Sequence, residues 1–289
     1  MPRLLTDHRG FSYGTALGAT AAAMFPDRID RMVLDGVLNP HEYFHGLFVG
    51  PEAILLWQHM TNSLYSSDIE MLTDTDKAWA GFFSGCLAQP DNCALAHRNL
   101  SAADLEQSIY KLIDTVKYHP IVYNGTLIDY TLLKGVIITQ LYTPATWPKL
   151  AVALDALLSN APTPDTIDEL FFGANGEADI LEANIGIKCG DKFRRAGSID
   201  EVQPSLDAMA DKSRLLGDVM TMITMQCAQW PFDARERYSG DFRAQTREPV
   251  LLIGNTFDPL TPLESARNVS AGLEGSVVLE HRGYGVRLF

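Results

Sequence analysis

The sequence contains no long apolar run and little positive charge. No stretch approaches the ~20 consecutive apolar residues that a membrane-spanning helix needs, so the chain is not expected to be a membrane protein by itself. Lys and Arg number 23 against 36 Asp and Glu, which gives a formal net charge of −13. Because nucleic-acid binding requires clustered basic side chains, this balance excludes nucleic acid as a partner. The acidic surface is expected mainly to keep the protein soluble.

A signal peptide is also missing from the start of the chain. Residues 1–9 read Met-Pro-Arg-Leu-Leu-Thr-Asp-His-Arg and have no apolar core region. If this start is genuine, it predicts a cytoplasmic protein. The cysteines and glycosylation signals favour a secreted protein instead.

The cysteine count is four, an even number. Cys86 and Cys93 flank a tight loop, and Cys189 with Cys227 makes a candidate second pair, although four cysteines allow three connectivities. The N-x-S/T acceptor pattern for N-glycosylation occurs at three positions: Asn99, Asn124 and Asn268. Three such patterns also arise by chance in a chain of this length. Together with the even cysteine count, they favour folding in an oxidising, secretory compartment.

The length and composition predict an ordinary globular protein. With 289 residues, 46% hydrophobic and 20% charged, the chain is long enough for one large domain or for one domain that carries an insertion. It contains no internal repeat and no low-complexity tract.

The most informative stretch is Gly10-Phe11-Ser12-Tyr13-Gly14-Thr15. It has the form G-x-S-x-G, in which a serine sits at a sharp strand-to-helix turn with its hydroxyl clear of the backbone. Glycines are expected beside the serine because a β-carbon would collide there. Ser12 is therefore the candidate nucleophile. The alternative is a glycine-rich turn without chemistry.

The residues that follow favour the first interpretation. Residues 15–25 can form a helix with a small-residue face, and residues 31–36 read as a short buried strand. The preceding segment fits less well, because residues 6–9 are polar where a buried strand should end, and Leu4 and Leu5 are a poor substitute.

A mostly helical region occupies the middle of the chain. Helices are predicted from Thr75 toward Cys86, after an N-cap at Ser101, and over residues 130–142, 147–158 and 205–227. Such a block is most simply a cap over a site. The alternative is a separate helical domain with no part in the chemistry.

Near its end the sequence returns to an α/β pattern. Residues 249–254 read as a buried parallel strand, and residues 276–280 as a last strand. Asp258 lies just past the carboxyl end of the first of these strands, where parallel sheets hold their chemistry. It is the candidate acid of a Ser, Asp, His triad. Alternatively, it only forms a turn or caps the helix that starts at Pro262.

Several of these phrases resemble those of tripeptidyl-aminopeptidase-like α/β-hydrolases. The resemblance rests on the elbow at Ser12, on residues 25–37, and on Asn255-Thr256-Phe257-Asp258-Pro259-Leu260-Thr261-Pro262. Residues 74–93, Cys189-Gly190-Asp191, residues 227–231 and residues 265–270 are similar to the fungal secreted branch of that family. The resemblance covers about residues 10 to 285.

The resemblance implies a partial α/β-hydrolase fold with a parallel sheet and a large, mostly helical cap. The core would comprise residues 1–39 and 241–289, and the cap residues 40–240. Ser12 would be the nucleophile, Asp258 the acid, and the Tyr13 N–H an oxyanion donor. The substrate would be a peptide with a free N-terminus, or an ester, cleaved by acyl transfer. No cofactor or metal is expected, because no His/Asp cluster has ligand spacing.

Two departures from the family pattern put activity in question. The catalytic histidine should follow the phrase Gly283-Tyr284-Gly285, but Val286 occupies that position and cannot accept a proton. The strands and the oxyanion loop that should precede the elbow are not in the sequence, which predicts a truncated protein with an unpaired sheet edge and leaves its oligomeric state open.

No other histidine is a good substitute for the missing base. His281 follows Asp258 but lies several residues too early, within or at the end of the last strand. The histidines of the helical region are interpreted as surface or packing residues: His41, His45, His59, His97 and His119. We therefore expect little activity from this chain. A non-catalytic remnant or binding protein of the same fold is the competing hypothesis.

Overall fold

A computed structural model describes residues 6–45, 68–171, 177–192 and 195–286, apart from the side chains of residue 6 and residues 177–181. The chain divides into two compact units. The first comprises Met1–Thr75 and Ala178–Phe289, and the second comprises Asp76–Glu177. The second unit spans fewer residues than the cap predicted over residues 40–240. The division into core and cap stays a prediction. Leu4, Leu5 and His59 lie outside the described residues.

The described residues form two sheets. The strands are β1 (Thr6–Ser12), β2 (Ile29–Val37), β3 (Ile121–Tyr123), β4 (Thr126–Ile128), β5 (Leu251–Phe257) and β6 (Val277–Tyr284). Strands β1, β2, β5 and β6 lie in that order in one parallel sheet, and β3 pairs with β4 in an antiparallel hairpin. Because the four strands are parallel, their carboxyl ends meet at one edge.

Some of the helices belong to the first unit, and the others form most of the second unit. The helices are α1 (Tyr13–Met24), α2 (Pro40–His45), α3 (Thr75–Ala88), α4 (Ala102–Tyr118), α5 (Tyr130–Leu141), α6 (Trp147–Leu158), α7 (Pro164–Phe171), α8 (Glu177–Asp191), α9 (Ile199–Lys212), α10 (Gly217–Ala228) and α11 (Leu263–Gly272). Short 3₁₀ helices occur at Pro26–Arg28, Glu70–Leu72, Pro90–Asn92, Ala94–Arg98 and Pro144–Thr146. No described helix is both long and apolar enough to cross a membrane.

Strand β1 forms although its first residues are polar. The His8 imidazole accounts for part of this, because its Nε2 lies 3.0 Å from the Gly14 carbonyl oxygen in the first turn of α1. The Arg9 guanidinium carbon lies 4.7 Å from the centre of the Phe11 ring. Polar side chains in this strand therefore make specific contacts. A strand prediction that relies on apolar content alone does not detect them.

Small residues on α1 allow it to approach the sheet closely. Ala16, Ala19 and Ala22 are buried. A Cβ at Gly18 would lie 2.6 Å from Leu34 Cδ2 and 2.8 Å from His8 Cδ2. Since real Cβ atoms do not approach other atoms this closely, only glycine fits there.

The buried core of the first unit is built from the sheet and the elements packed on it. Its members are Ala16, Ala19, Ala22, Ile29, Met32, Leu34, Val37, Leu38, Tyr43, Phe44, Met71, Phe242, Val250, Leu252, Ala266, Val269 and Leu273. Leu34 on β2 pairs with Gly10 on one side and Leu252 on the other, so the centre of the sheet is part of this core.

The prediction of one helix over residues 205–227 is wrong. The structure has two helices, α9 and α10, separated at Ser213–Leu216. The Ser213 hydroxyl accepts a hydrogen bond from the Leu216 N–H at 3.1 Å, which stabilises the break. A Cβ at Gly217 would lie 1.9 Å from the Met209 carbonyl oxygen, so the second helix starts at a glycine that allows the two backbones to touch. Apolar periodicity alone does not contain this information.

In the second unit, the sequence-predicted helices form with bounds close to those expected. Ser101 caps α4, since its hydroxyl accepts a hydrogen bond from the Asp104 N–H at 3.2 Å. Three buried rings on α3 pack together: Trp79, Phe82 and Phe83.

Both cysteine pairs expected from the sequence form disulfides. Cys86 is bonded to Cys93, and Cys189 to Cys227. The second bond connects α8 to α10 across 38 residues of sequence. Disulfides of this kind are typical of proteins that fold in an oxidising compartment.

Replacing Gly18 by alanine is expected to lower the free energy of unfolding by about 1–3 kcal/mol, because the added methyl overpacks the contact with the sheet. Gly135→Ala is the matched control. It also lies inside a helix, but a Cβ there meets no atom within 4 Å. Alanine's higher helix propensity should therefore stabilise that variant by up to about 1 kcal/mol. Urea unfolding measures both, and equal midpoints for the two variants would contradict the close approach of α1.

Candidate active site

Ser12 lies at the turn between β1 and α1. The strand ends at Ser12 and the helix begins at Tyr13. The backbone of Ser12 has φ of 48° and ψ of −119°, a conformation that residues other than glycine rarely adopt. Its side chain is exposed. This is the geometry of the strained strand-to-helix elbow that the motif predicts.

The two glycines of the motif differ in what they do. A Cβ at Gly10 would lie 2.4 Å from the Gly14 carbonyl oxygen, so the tight turn requires glycine at that position. A Cβ at Gly14 would meet no atom within 4 Å. The expectation that both glycines avoid a collision is therefore correct for Gly10 and wrong for Gly14.

A buried threonine ties the elbow to the end of β2. The Thr15 hydroxyl donates to the Ser12 carbonyl oxygen at 2.6 Å and accepts a hydrogen bond from the Leu38 N–H at 2.9 Å. Thr15 has no solvent exposure. The strained turn is thus fixed to the neighbouring strand, which keeps the serine at the carboxyl edge of the sheet.

The N–H of Tyr13 is available for an oxyanion. Tyr13 is the first residue of α1, and the first N–H groups of a helix have no acceptor within the helix. The partial positive charge of the helix N-terminus adds to their attraction for an anion. The role assigned to Tyr13 stays a prediction, and its position is compatible with that role.

Asp258 lies at the same edge, one residue beyond the end of β5. It is fully buried. Its carboxylate accepts hydrogen bonds from the Leu260 N–H at 2.9 Å, the Thr261 N–H at 2.7 Å and the Thr261 hydroxyl at 2.7 Å. Asp258 therefore closes the turn before α11, and it also occupies the position of a triad acid. The two interpretations of the sequence are compatible.

The environment of Asp258 disfavours its charge. The pKa of Asp258 is raised to about 7, mainly by burial and also by the nearby Asp35, although hydrogen bonds from Thr261 and Leu260 act in the opposite direction. Asp35 is also buried, on β2.

Position 286 and the threonine that binds the Asp258 carboxylate both lie against Gly36. A Cβ at Gly36, whose φ is 65°, would lie 3.2 Å from Val286 Cγ1 and 3.2 Å from the Thr261 hydroxyl that donates to Asp258. The segment is held in place by the Asn255 side-chain amide, which donates to the Gly285 carbonyl oxygen at 2.7 Å. The Val286 side chain is buried, and it shares the neighbourhood of Gly36 with the threonine that donates to Asp258.

His281 does not lie where a base would be needed. Its Nδ1 is 2.9 Å from the Asn255 side-chain oxygen, between β6 and β5. His41 and His45 contact the Phe242 ring, and the His97 imidazole contacts the Ala94 carbonyl oxygen. His119 is exposed at the end of α4.

A second carboxylate contacts the side chain of the residue after Ser12, and no role for it could be predicted from the sequence. The Asp191 Oδ2 accepts hydrogen bonds from the Tyr13 hydroxyl at 3.3 Å and from the Tyr43 hydroxyl at 3.1 Å. The centres of the two tyrosine rings are 5.7 Å apart. Burial raises the pKa of Asp191. A signal was present in the phrase Cys189-Gly190-Asp191, but the motif alone does not show that its aspartate reaches the residue after Ser12.

Buried charges fix the helix that carries Asp191. Lys188 and Lys192 lie 2.7 Å and 3.6 Å from the two carboxylate oxygens of Asp68. Burial alone would raise the pKa of Asp68, but the two lysines lower it below its usual value. The pKa of the neighbouring Glu42 is raised well above normal, first by burial and then by Asp68. With the Cys189–Cys227 disulfide, this network holds the end of α8 beside the elbow.

The comparisons with known proteins agree with this geometry. Residues 213–289 match the family model for TAP-like protein, an α/β-hydrolase model. The chain has an α/β-hydrolase core. The matched part of this core contains Asp258 and Val286, whereas Ser12 lies outside it.

The chain is also similar to curated bacterial proteins. It is 21% identical over 290 residues to serine protease Hip1 of Mycobacterium bovis and to the same protein of Mycobacterium tuberculosis. The match covers 93% of this chain and 50% of those proteins. The chain thus spans about half the length of the curated relatives it matches.

The raised pKa of Asp258 predicts that stability falls as pH rises. The pKa of an aspartate in an unfolded chain is about 3.9, and in the folded protein that of Asp258 is about 7. Between these values the folded state binds more protons than the unfolded state. The free energy of unfolding therefore decreases with pH, by up to about 1.4 kcal/mol per pH unit.

Urea unfolding at about pH 5 and about pH 8 tests this expectation, since the contribution changes mostly between those values. Asp258→Asn should remove this part of the pH dependence, because an amide does not titrate. The fold should tolerate the change, since an amide oxygen still accepts the backbone hydrogen bonds. Asp114→Asn, at an exposed site on α4, is the control and should leave the pH dependence unchanged. A pH dependence that survives Asp258→Asn would contradict the assignment.

Proposed function

We propose that this chain is a serine hydrolase of the α/β-hydrolase superfamily with aminopeptidase-like specificity and with very low turnover of its own. The observation that supports it is the strained, exposed Ser12 at the carboxyl edge where Asp258 also lies. The similarity to a serine protease supports the same chemistry. Val286 at the position of the base explains the low turnover.

The mechanism would be acyl transfer. Ser12 Oγ attacks the substrate carbonyl, the Tyr13 N–H stabilises the oxyanion, and water then releases the acyl group. Removing a serine proton at neutral pH requires a base, and valine cannot act as one. Loss of the base typically costs several orders of magnitude in rate, while the remaining groups still give some catalysis.

The preference for a free peptide N-terminus rests on Asp191. Both tyrosine hydroxyls bond to its Oδ2, and Oδ1 has no hydrogen-bond partner within the described ranges. The carboxylate is half-buried at the C-terminal end of α8, where the helix dipole disfavours negative charge. A carboxylate held at an unfavourable position, in contact with the side chain of the residue after the nucleophile, is well placed to bind a substrate ammonium group.

Two other functions follow from particular features. The buried Val286 favours a non-catalytic protein that binds a peptide at the same place. An esterase would use Ser12 and Asp258 in the same way but would not need Asp191. The substrates considered are therefore peptides and esters.

Labelling with a fluorophosphonate probe tests the nucleophile. The wild-type chain should be labelled slowly at Ser12, and Ser12→Ala should not be labelled. Val286→His should raise the labelling rate by about 10²–10⁴-fold, the usual contribution of a positioned base. Mass spectrometry of the labelled peptide locates the adduct.

Val286→Gln is the matched control, because it introduces a polar side chain that is not a base. It should label no faster than wild type. A chain with no adduct at Ser12, in wild type and in Val286→His, is not a serine hydrolase, and the binding protein would then be favoured.

The role of Asp191 is tested by protecting Ser12 from the probe in Val286→His. Tri-alanine should protect at an about tenfold lower concentration than N-acetyl-tri-alanine, because a charge-assisted hydrogen bond contributes about 1.5–3 kcal/mol. Asp191→Asn should abolish this difference. Asp207→Asn makes the same change in charge at an exposed site on α9 and should preserve it. If Asp191→Asn still preferred tri-alanine to N-acetyl-tri-alanine, a group other than Asp191 would bind the substrate amine.

A further inference from the structure

The hairpin of β3 and β4 presents an asparagine at its tip. The two residues between the strands, Asn124 and Gly125, have φ of 46° and 77°. Positive φ at both positions is the pattern of a type I′ turn, which Asn-Gly favours. Both residues are exposed, and a Cβ at Gly125 would meet no atom within 4 Å. Open space therefore surrounds the second residue of the sequon Asn124-Gly125-Thr126, and the asparagine beside it is exposed.

The sequon at Asn99 is involved in local structure. The Asn99 side-chain amide donates to the His97 carbonyl oxygen at 3.1 Å. The Ser101 hydroxyl caps α4 and donates to the Asp104 carboxylate at 2.7 Å. Both polar side chains of this sequon are thus hydrogen-bonded in the folded protein.

The sequon at Asn268 is held in the same way. The Asn268 amide, on α11, donates to Glu70 Oε2 at 2.6 Å. The Ser270 hydroxyl lies 2.7 Å from the Ser276 hydroxyl. By contrast, the side chains of Asn124 and Thr126 form no hydrogen bond with any described residue.

Exposed apolar side chains lie next to Asn124. Val122 and Leu127 are cross-strand partners on one face of the hairpin and are 72% and 54% exposed. Adjacent exposed apolar side chains form a surface that another group can cover. A sugar chain attached at the adjacent turn is long enough to lie over them.

We propose that Asn124 is the N-glycosylation site of this protein, and that its glycan shields the apolar face formed by Val122 and Leu127. The donor is a lipid diphosphate-linked oligosaccharide. A bond forms between Asn124 Nδ2 and the anomeric carbon of the first sugar, the bond from that carbon to the diphosphate oxygen breaks, and the amide nitrogen loses one proton. The lipid diphosphate is the leaving group. This proposal is independent of the proposed function.

The disulfides support the cellular setting that this reaction requires. Cys86–Cys93 and Cys189–Cys227 are typical of an oxidising secretory compartment, which is also where such acceptor sequences are glycosylated.

The test is secretion of the full chain from yeast behind a host signal peptide, followed by peptide mass spectrometry. Release of the glycan in heavy-oxygen water marks each occupied asparagine. Asn124 is expected to carry the mark. Asn124→Gln and Thr126→Val should each remove one glycan, while Asn99→Gln and Asn268→Gln should leave the glycan mass unchanged. Thr126→Val keeps the asparagine in the turn, so it separates loss of the sugar from damage to the hairpin.

Shielding is tested by size-exclusion chromatography of the secreted proteins. Thr126→Val should associate, and adding Val122→Thr with Leu127→Thr should return it to the size of the glycosylated chain. An unmarked Asn124 in the secreted protein, or a mark at Asn268 alone, would overturn the site. If Thr126→Val lost its glycan and behaved like wild type, the site would stand and the shielding part of the proposal would be overturned.

Discussion

The parallel pairing of β1, β2, β5 and β6 is the constraint on which the candidate site depends. Residues that are far apart in sequence meet because each follows the carboxyl end of a strand in the same sheet. Ser12 ends β1, Asp258 follows β5, and Val286 follows β6. Thr15 fixes the first of these turns through its bonds to the Ser12 carbonyl oxygen and the Leu38 N–H. Gly36 allows both Val286 and the threonine that binds Asp258 to pack against the backbone of β2.

The burial of Asp258 affects both the stability of the folded protein and the charge of the candidate triad acid. In a complete triad, an imidazolium beside the acid would compensate a buried carboxylate. Here a valine and Thr261, which binds Asp258, both flank Gly36, and burial raises the pKa of the acid. Under the proposed function, the site would keep Ser12 and Asp258 at one sheet edge while disfavouring the charge on the acid. This combination would account for the low turnover proposed for the chain.

Much of this arrangement could be predicted from sequence, because motifs with strict backbone requirements carry it. A turn pattern predicts Ser12 as the candidate nucleophile, and a carboxylate that follows a buried strand predicts Asp258 as the candidate acid. Helix bounds followed apolar periodicity, except over residues 205–227, where Gly217 packs against the Met209 backbone. Contacts between distant side chains could not be predicted. The meeting of Asp191 with the Tyr13 hydroxyl depends on how α8 is held, which no local pattern encodes.

The central claim is that a histidine at position 286 would reach Asp258, so that one substitution can complete the triad. Proton NMR of Val286→His tests it directly. The account predicts a strongly downfield Nδ1–H resonance, as expected for an imidazolium hydrogen-bonded to a buried carboxylate, and its loss in the double variant that also carries Asp258→Asn. A folded Val286→His protein with no such resonance, or with one that survives removal of the Asp258 carboxylate, would contradict the account.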